Sequence, residues 1–130
     1  MKRPAPPLTD RTGDYWRSGA DGKLRIARCQ SCKFYIHPAQ QVCPKCRGRD
    51  VLFVPVSGKG SVYAYTINRY QWNPDMPPPF TIAQIELDEQ DKLLVMSNVI
   101  GIDPEEVKTG LRVSVTFDQQ GEAFIPVFTA

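Results

Sequence analysis

Four cysteines stand at positions 29, 32, 43 and 46, so two C-x2-C pairs are separated by ten residues. Each pair predicts a tight turn whose two thiolates converge on one side. Two such turns supply the four soft sulfur ligands of a tetrahedral metal site at about 2.3 Å from the ion. Zinc suits that set, and iron fits the same kind of knuckle. Four ligands close the shell and leave no position for a catalytic water, so Cys29, Cys32, Cys43 and Cys46 are expected to hold a structural ion. His37 lies in the intervening loop, but the shell is already full. Two disulfides are the competing use of four cysteines in a short chain. The amino terminus, MKRPAPPLTDRTGDYW, has no apolar run of the kind that directs export, and the spacing favours metal, which points to a reducing compartment and a cytoplasmic protein.

Other chemistry is hard to place. Asp88, Glu89 and Asp91 cluster at an expected hairpin turn, where carboxylates are normally solvated, and the chain has one histidine. There is no G-x-S-x-G elbow, and metal binding leaves no cysteine free as a nucleophile. The SGKGS run at 57–61 fails the phosphate-loop spacing and precedes a strand rather than a helix. No catalytic residue is therefore expected. What remains is a binding surface. RYQWNPDMPPPF places Arg69, Tyr70, Trp72 and Phe80 along a stiff, proline-rich loop, and Tyr15 and Trp16 form a second aromatic pair near the amino terminus. Tyr63, Tyr65, Tyr70 and Trp72 could stack single-stranded bases, or anchor a protein interface. Tyr15 and Trp16 divide between tying a terminal helix to its own domain and docking a partner.

These residues need elements to position them. A short helix is expected in TDRTGDYWRSGADG, capped by Thr9, Asp10 or Thr12 and ended at Gly22. KLRIARC alternates into the first knuckle. From residue 61, SVYAYTINR, FTIAQIELD, KLLVMSNVI, RVSVTFD and AFIPVFT read as five strands. In the fourth, Val113, Val115 and Phe117 share one face. DPEEVKTG, between the third and fourth, predicts a short helix with Asp103 as cap, Pro104 in its first position and Gly110 at its end. Five strands with that helix placement is the order of an OB-fold barrel. The expected chain is thus mainly β: an extended and helical segment over 1–25, a rubredoxin-like zinc ribbon over 26–54, and an OB barrel over 55–130.

At 130 residues and 42% hydrophobic side chains, one modest core with a satellite module is possible and two large domains are not. A net charge of +2 is too small a bias to imply nucleic acid or an acidic membrane surface. No stretch approaches the roughly 18 to 20 apolar residues that cross a bilayer.

The whole arrangement resembles the acyl-CoA-associated zinc-ribbon and OB-fold family. The likeness rests on DYWRSGADGKLRIARCQSC, the CPKC knuckle, SGKGSVYAYTI, PPPFTIAQIELDE and GLRVSVTFD, and covers nearly the whole chain. All four cysteines match the family pattern. The resemblance implies a non-catalytic accessory subunit beside thiolases, thiolase-like aldolases or hydroxymethylglutaryl-CoA synthases, with a hot-dog-fold hydratase as a further partner. It also implies a setting in lipid or steroid side-chain degradation. The barrel would help to bind or channel an acyl-CoA, a ligand shared with the partner, whose own residues do the chemistry. The family supplies no sharp motif for that contact, so Tyr15, Trp16, Arg69, Tyr70, Trp72 and Phe80 are named on composition. The alternative is a single-stranded nucleic-acid-binding OB module with structural zinc.

Overall fold

The computed structural model describes residues 2–10 and 12–130, so Met1 and Arg11 of the amino-terminal segment lie outside the described residues. The chain enters along an extended strap. Lys2 N–H donates to Asp75 O at 2.8 Å, and the Arg3 guanidinium bonds Asn98 Oδ1 at 2.9 Å and Asp118 at 2.6 Å. Thr9 Oγ1 then accepts from Thr12 N–H, and Thr12 flanks the single-turn helix α1, Gly13–Arg17. A 3-10 turn, Ser18–Asp21, follows and ends at Gly22, whose φ of 80° is the left-handed stop the sequence predicts.

Two sheets follow. β1 (Arg25–Cys29), β2 (Tyr35–Ile36) and β3 (Val51–Pro55) form a three-stranded antiparallel sheet with β1 in the middle. β4 (Lys59–Asn68), β5 (Phe80–Leu87), β6 (Leu94–Ser97), β7 (Val99–Ile100), β8 (Arg112–Gln120) and β9 (Ala123–Thr129) form the second, in the order β6-β5-β4-β8-β9-β7. β6 and β7 are one expected strand, broken at Asn98. Its first half pairs with β5 and its second half pairs in parallel with β9, which closes the sheet into a barrel. Asn98 and Thr81 satisfy the backbone at this corner: Asn98 Nδ2 donates to Thr81 O at 2.6 Å, and the buried Thr81 hydroxyl meets both Val99 N and Val99 O at 3.1 Å.

Inside the barrel, β5 alternates as a half-buried strand should, with Thr81, Ala83, Ile85 and Leu87 turned inward. They pack with Leu24, Ile26, Val62, Val95, Val113 and Phe128. Gly58 and Gly60 belong to this packing. A Cβ on Gly60 would lie 2.4 Å from Glu86 O, so SGKGS is a close strand crossing rather than a phosphate cradle. The helix expected at DPEEVKTG shortens to one 3-10 turn, Pro104–Glu106. Its start is as read, with Asp103 Oδ1 accepting from Glu105 N–H at 2.9 Å. Its end comes early because Val107 turns extended to bury its side chain, and Gly110 and Leu111 then bond Val62 as a ladder.

A second small core, Ala27, Cys29, Ile36 and Cys43, lies under the first sheet, and Phe53 packs against both cores. The two sheets are also stitched by polar groups. Gln90 Oε1 accepts from Tyr35 N–H at 2.9 Å while Gln90 Nε2 donates to Tyr35 O at 3.1 Å, so one side-chain amide stands in for a strand beside β2. Glu89 Oε2 accepts from Ser57 N–H at 2.8 Å.

Candidate metal centre and exposed aromatic face

The two C-x2-C turns are built alike. Cys29 O accepts from Lys33 N–H and Cys43 O from Arg47 N–H, both at 2.9 Å. Cys29 N–H donates to Phe34 O and Cys43 N–H to Gly48 O, at 2.9 and 2.8 Å. Lys33 and Arg47, each following the second cysteine of a pair, have φ of 68° and 64°, a conformation that non-glycine residues adopt only where the surroundings hold it. Sequence spacing predicts the pairs, but not that both turns rely on a left-handed basic residue.

The sulfurs converge. All four Sγ atoms lie within 4.8 Å of one another, with Cys29 and Cys46 at 3.5 Å and Cys32 and Cys43 at 3.6 Å. A tetrahedron of thiolates around zinc places its sulfurs about 3.8 Å apart, whereas a disulfide needs about 2.05 Å. The donor set therefore fits a tetrahedral metal and not a pair of disulfides. N–H groups support the thiolates: Lys45 N–H faces Cys43 Sγ at 3.4 Å and Gly48 N–H faces Cys46 Sγ at 3.3 Å. Backbone N–H groups of Cys32 and Ser31 pull the Cys29 thiol down to about 6. His37 is outside this cluster. Its ring packs 5.0 Å from that of Tyr15, and burial pushes its pKa down to about 4.

The aromatic residues named from composition separate in space. Tyr15 is 8% exposed and sits in the barrel core against Trp16 and His37. Trp16 is half-buried and lines a shallow depression of about 190 Å³ with Ile82, Met96, Ile125 and Pro126. Phe80 is half-buried at the start of β5. Tyr70 and Trp72, by contrast, are 64% and 77% exposed, with ring centroids 4.6 Å apart. Asn68 holds this pair, accepting from Trp72 Nε1 at 2.9 Å and donating to Tyr70 O at 2.6 Å. Arg69 beside them is ion-paired to Glu105, which ties the loop to the turn before β8. Tyr63 and Tyr65 on β4 are exposed as well.

The acidic turn matches expectation at Asp88 and Asp91, which are exposed, and departs from it at Glu89. Asp88 is bound by both guanidinium nitrogens of Arg112, at 2.7 and 2.6 Å. Glu89, expected to be solvated, turns inward to Ser57, and its Oε1 is buried without a hydrogen-bond partner among the described residues. Neither it nor Gln90 carries a sequence signal, because their partners lie 32 and 55 residues away.

Two family models match the chain: residues 16–51 match the ChsH2 rubredoxin-like zinc ribbon domain, and residues 53–118 match the ChsH2 C-terminal OB-fold domain. The chain belongs to the ChsH2 family. A solved structure described as an Ltp2-ChsH2(DUF35) aldolase is similar to it over 96% of this chain and 98% of the matched chain, with a TM-score of 0.86 and 28% identity. The probable enoyl-CoA hydratase alpha subunit of Thermomonospora curvata is 30% identical over 127 residues, 97% of this chain and 39% of that protein. The benzoylsuccinyl-CoA thiolase subunit BbsA of Thauera aromatica is 30% identical over 87 residues, 65% of this chain and 60% of that one. The chain thus spans less than two thirds of either relative. No helix among the described residues is long and apolar enough to cross a membrane.

Proposed function

We propose that this chain is a non-catalytic accessory subunit of a thiolase-superfamily enzyme, a thiolase-like aldolase or thiolase, and that it helps to bind or channel an acyl-CoA substrate. The observation that carries the reading is the likeness, over nearly the full length of both, to a chain of the Ltp2-ChsH2(DUF35) aldolase. The relatives named as subunits of a thiolase and of a hydratase support it from two further directions, the second favouring a hot-dog hydratase as an additional partner. Lipid or steroid side-chain breakdown in the cytoplasm is the setting this reading favours.

In the same reading, Cys29, Cys32, Cys43 and Cys46 hold one zinc ion, which supplies folding energy to residues 26–54, a unit too small to be held by its own core. Residues 55–130 form the barrel that faces the partner. Tyr70, Trp72 and Arg69 are the docking or ligand-contacting group, since large aromatics and arginine dominate interface energies when covered. Phe80, paired with Asn68 at the base of that loop, and Trp16, in a separate depression, are further contact candidates, and Tyr15 supports Trp16 from within the core.

The test is affinity purification of the tagged chain from its native host at moderate salt, with mass spectrometry of what is retained. A thiolase-superfamily enzyme in stoichiometric amount is the expected result. Recovery of nucleic acid in a salt-sensitive manner, with no such enzyme, would replace this reading with a single-stranded nucleic-acid module.

A further inference from the structure

β4 is ten residues long and pairs with β5 along nearly all of it, but it pairs with β8 only over Lys59–Ser61. Val62 bonds Gly110 and Leu111 just beyond, and from Tyr63 to Asn68 the second side of β4 faces no strand. The register fixes which backbone groups are left open. Leu87 N–H donates to Leu93 O, so the odd-numbered residues of β5 turn toward β6, and Phe80, Ile82 and Gln84 turn toward β4. Their partners are Asn68, Thr66 and Ala64. The N–H and C=O groups of Tyr65 and Ile67 therefore point to the open side, and no described residue bonds them.

Edge strands that stay free are usually blunted by a charge, a proline or a bulge, and the one irregularity here, a bulge between Val62 and Ala64, lies at the start of the edge and leaves Ala64–Asn68 in regular register with β5. Tyr63–Asn68 contains no charge and no proline, and its faces carry Tyr63 and Tyr65, 39% and 40% exposed, and the exposed Ala64 and Thr66. We propose that this edge is completed by an extended segment of the partner enzyme, which adds a strand beside β4. The inference rests on the accessory-subunit reading above and gives it a binding mode. The N–H and C=O groups of Tyr65 and Ile67, two residues or about 7 Å apart on one edge, repeat at the spacing of an extended main chain and not of a small ligand. A second copy fits less well. Lys92 Nζ lies 2.8 Å from Tyr63 Oη and 4.5 Å from the ring centre, outside any ion pair among the described residues, and Arg69 follows Asn68 at the other end. Two copies paired antiparallel about a twofold would bring Lys92 of each beside the other's Arg69–Glu105 pair, whose carboxylate is already taken, and leave Lys92 without a carboxylate of its own. A partner segment with a carboxylate at the Tyr63 end complements Lys92 instead.

The probe is the thiolase-superfamily subunit identified in the purification above, isolated and added to the isotopically labelled chain while amide exchange is followed residue by residue. Exchange at Tyr65 and Ile67 is expected to slow by about tenfold or more, while Ala64 and Thr66, already laddered to β5, change little. Tyr65→Pro removes an edge-facing N–H and spares the β5 ladder, whereas Tyr65→Thr removes only the ring. The proline variant is expected to weaken binding by about tenfold relative to the threonine variant, at equal zinc content and melting temperature. Wild-type binding with fast exchange at Tyr65 and Ile67 would overturn the edge pairing and leave the accessory role standing. Retention of no thiolase-superfamily enzyme would remove both. A wild-type dimer that Tyr65→Pro converts to monomers would assign the edge to a second copy and overturn the proposal.

Discussion

Cys43 is fully buried while Cys46, three residues on, is exposed, yet both sulfurs face the same point. Replacing the buried one tests the metal centre most sharply. Cys43→Ser is expected to lower zinc from one per chain to below about a tenth, read by elemental analysis of the purified protein, and to collapse the ribbon amide signals. The reason is that ion binding by such sites carries on the order of 10 kcal/mol of folding energy. Retained zinc at one per chain would remove Cys43 from the ligand set. His37 supports a second prediction at this scale. Burial against Tyr15 lowers its pKa to about 4, below the ordinary value of 6.5, so the folded chain favours the neutral ring. Its contribution is complete above pH 6.5 and is lost as pH falls from 6.5 toward 4, by on the order of 3 kcal/mol. Acid also protonates the thiolates, so the measurement is the difference between wild type and His37→Phe in urea unfolding across that window. The variant should lose stability less steeply as pH falls, and equal slopes would show that His37 does not titrate as described.

Among the elements, the turn between β5 and β6 joins ribbon to barrel through Gln90, whose amide makes two hydrogen bonds to Tyr35. Gln90→Glu keeps the acceptor and replaces the donor with an oxygen facing Tyr35 O. It is expected to cost about 1 to 3 kcal/mol and to speed exchange of the Tyr35 amide, with barrel amides unchanged. At β4, Gly60→Ala forces a methyl against Glu86 O and should cost about 1 to 3 kcal/mol in thermal unfolding. The contrast between these two sites shows what local sequence can carry. The C-x2-C spacing, the β8 alternation and the Asp103-Pro104 turn start are local signals, and each is legible. Gln90 and Glu89 act on residues far along the chain, so nothing near them announces it. Asn98 breaks an expected strand because barrel closure needs a corner there, and Val107 ends a turn early because the core takes its side chain. Tyr15 and Tyr70 each follow a charged residue and stand one or two positions from a tryptophan, and only packing makes one core and the other surface.

As a whole molecule, the chain pairs a four-cysteine ribbon with a barrel left open along Tyr63–Asn68 of β4, and among the described residues four of the seven exposed large apolar side chains lie on β4 and the loop after it. Tyr63, Tyr65, Tyr70 and Trp72 are exposed aromatics of the kind that dominates interface energies once a partner covers them. Trp72→Ala, far from the core, is expected to leave melting within about 0.5 kcal/mol of wild type and to weaken partner binding by about 2 kcal/mol in calorimetric titration. The most direct measurement of the account is turnover of an acyl-CoA by the purified thiolase-superfamily enzyme, assayed alone, with this chain, and against this chain alone. The account predicts full activity only when both chains are present, and none from this chain by itself. An enzyme equally active without it, or turnover by the isolated chain, would contradict the accessory role.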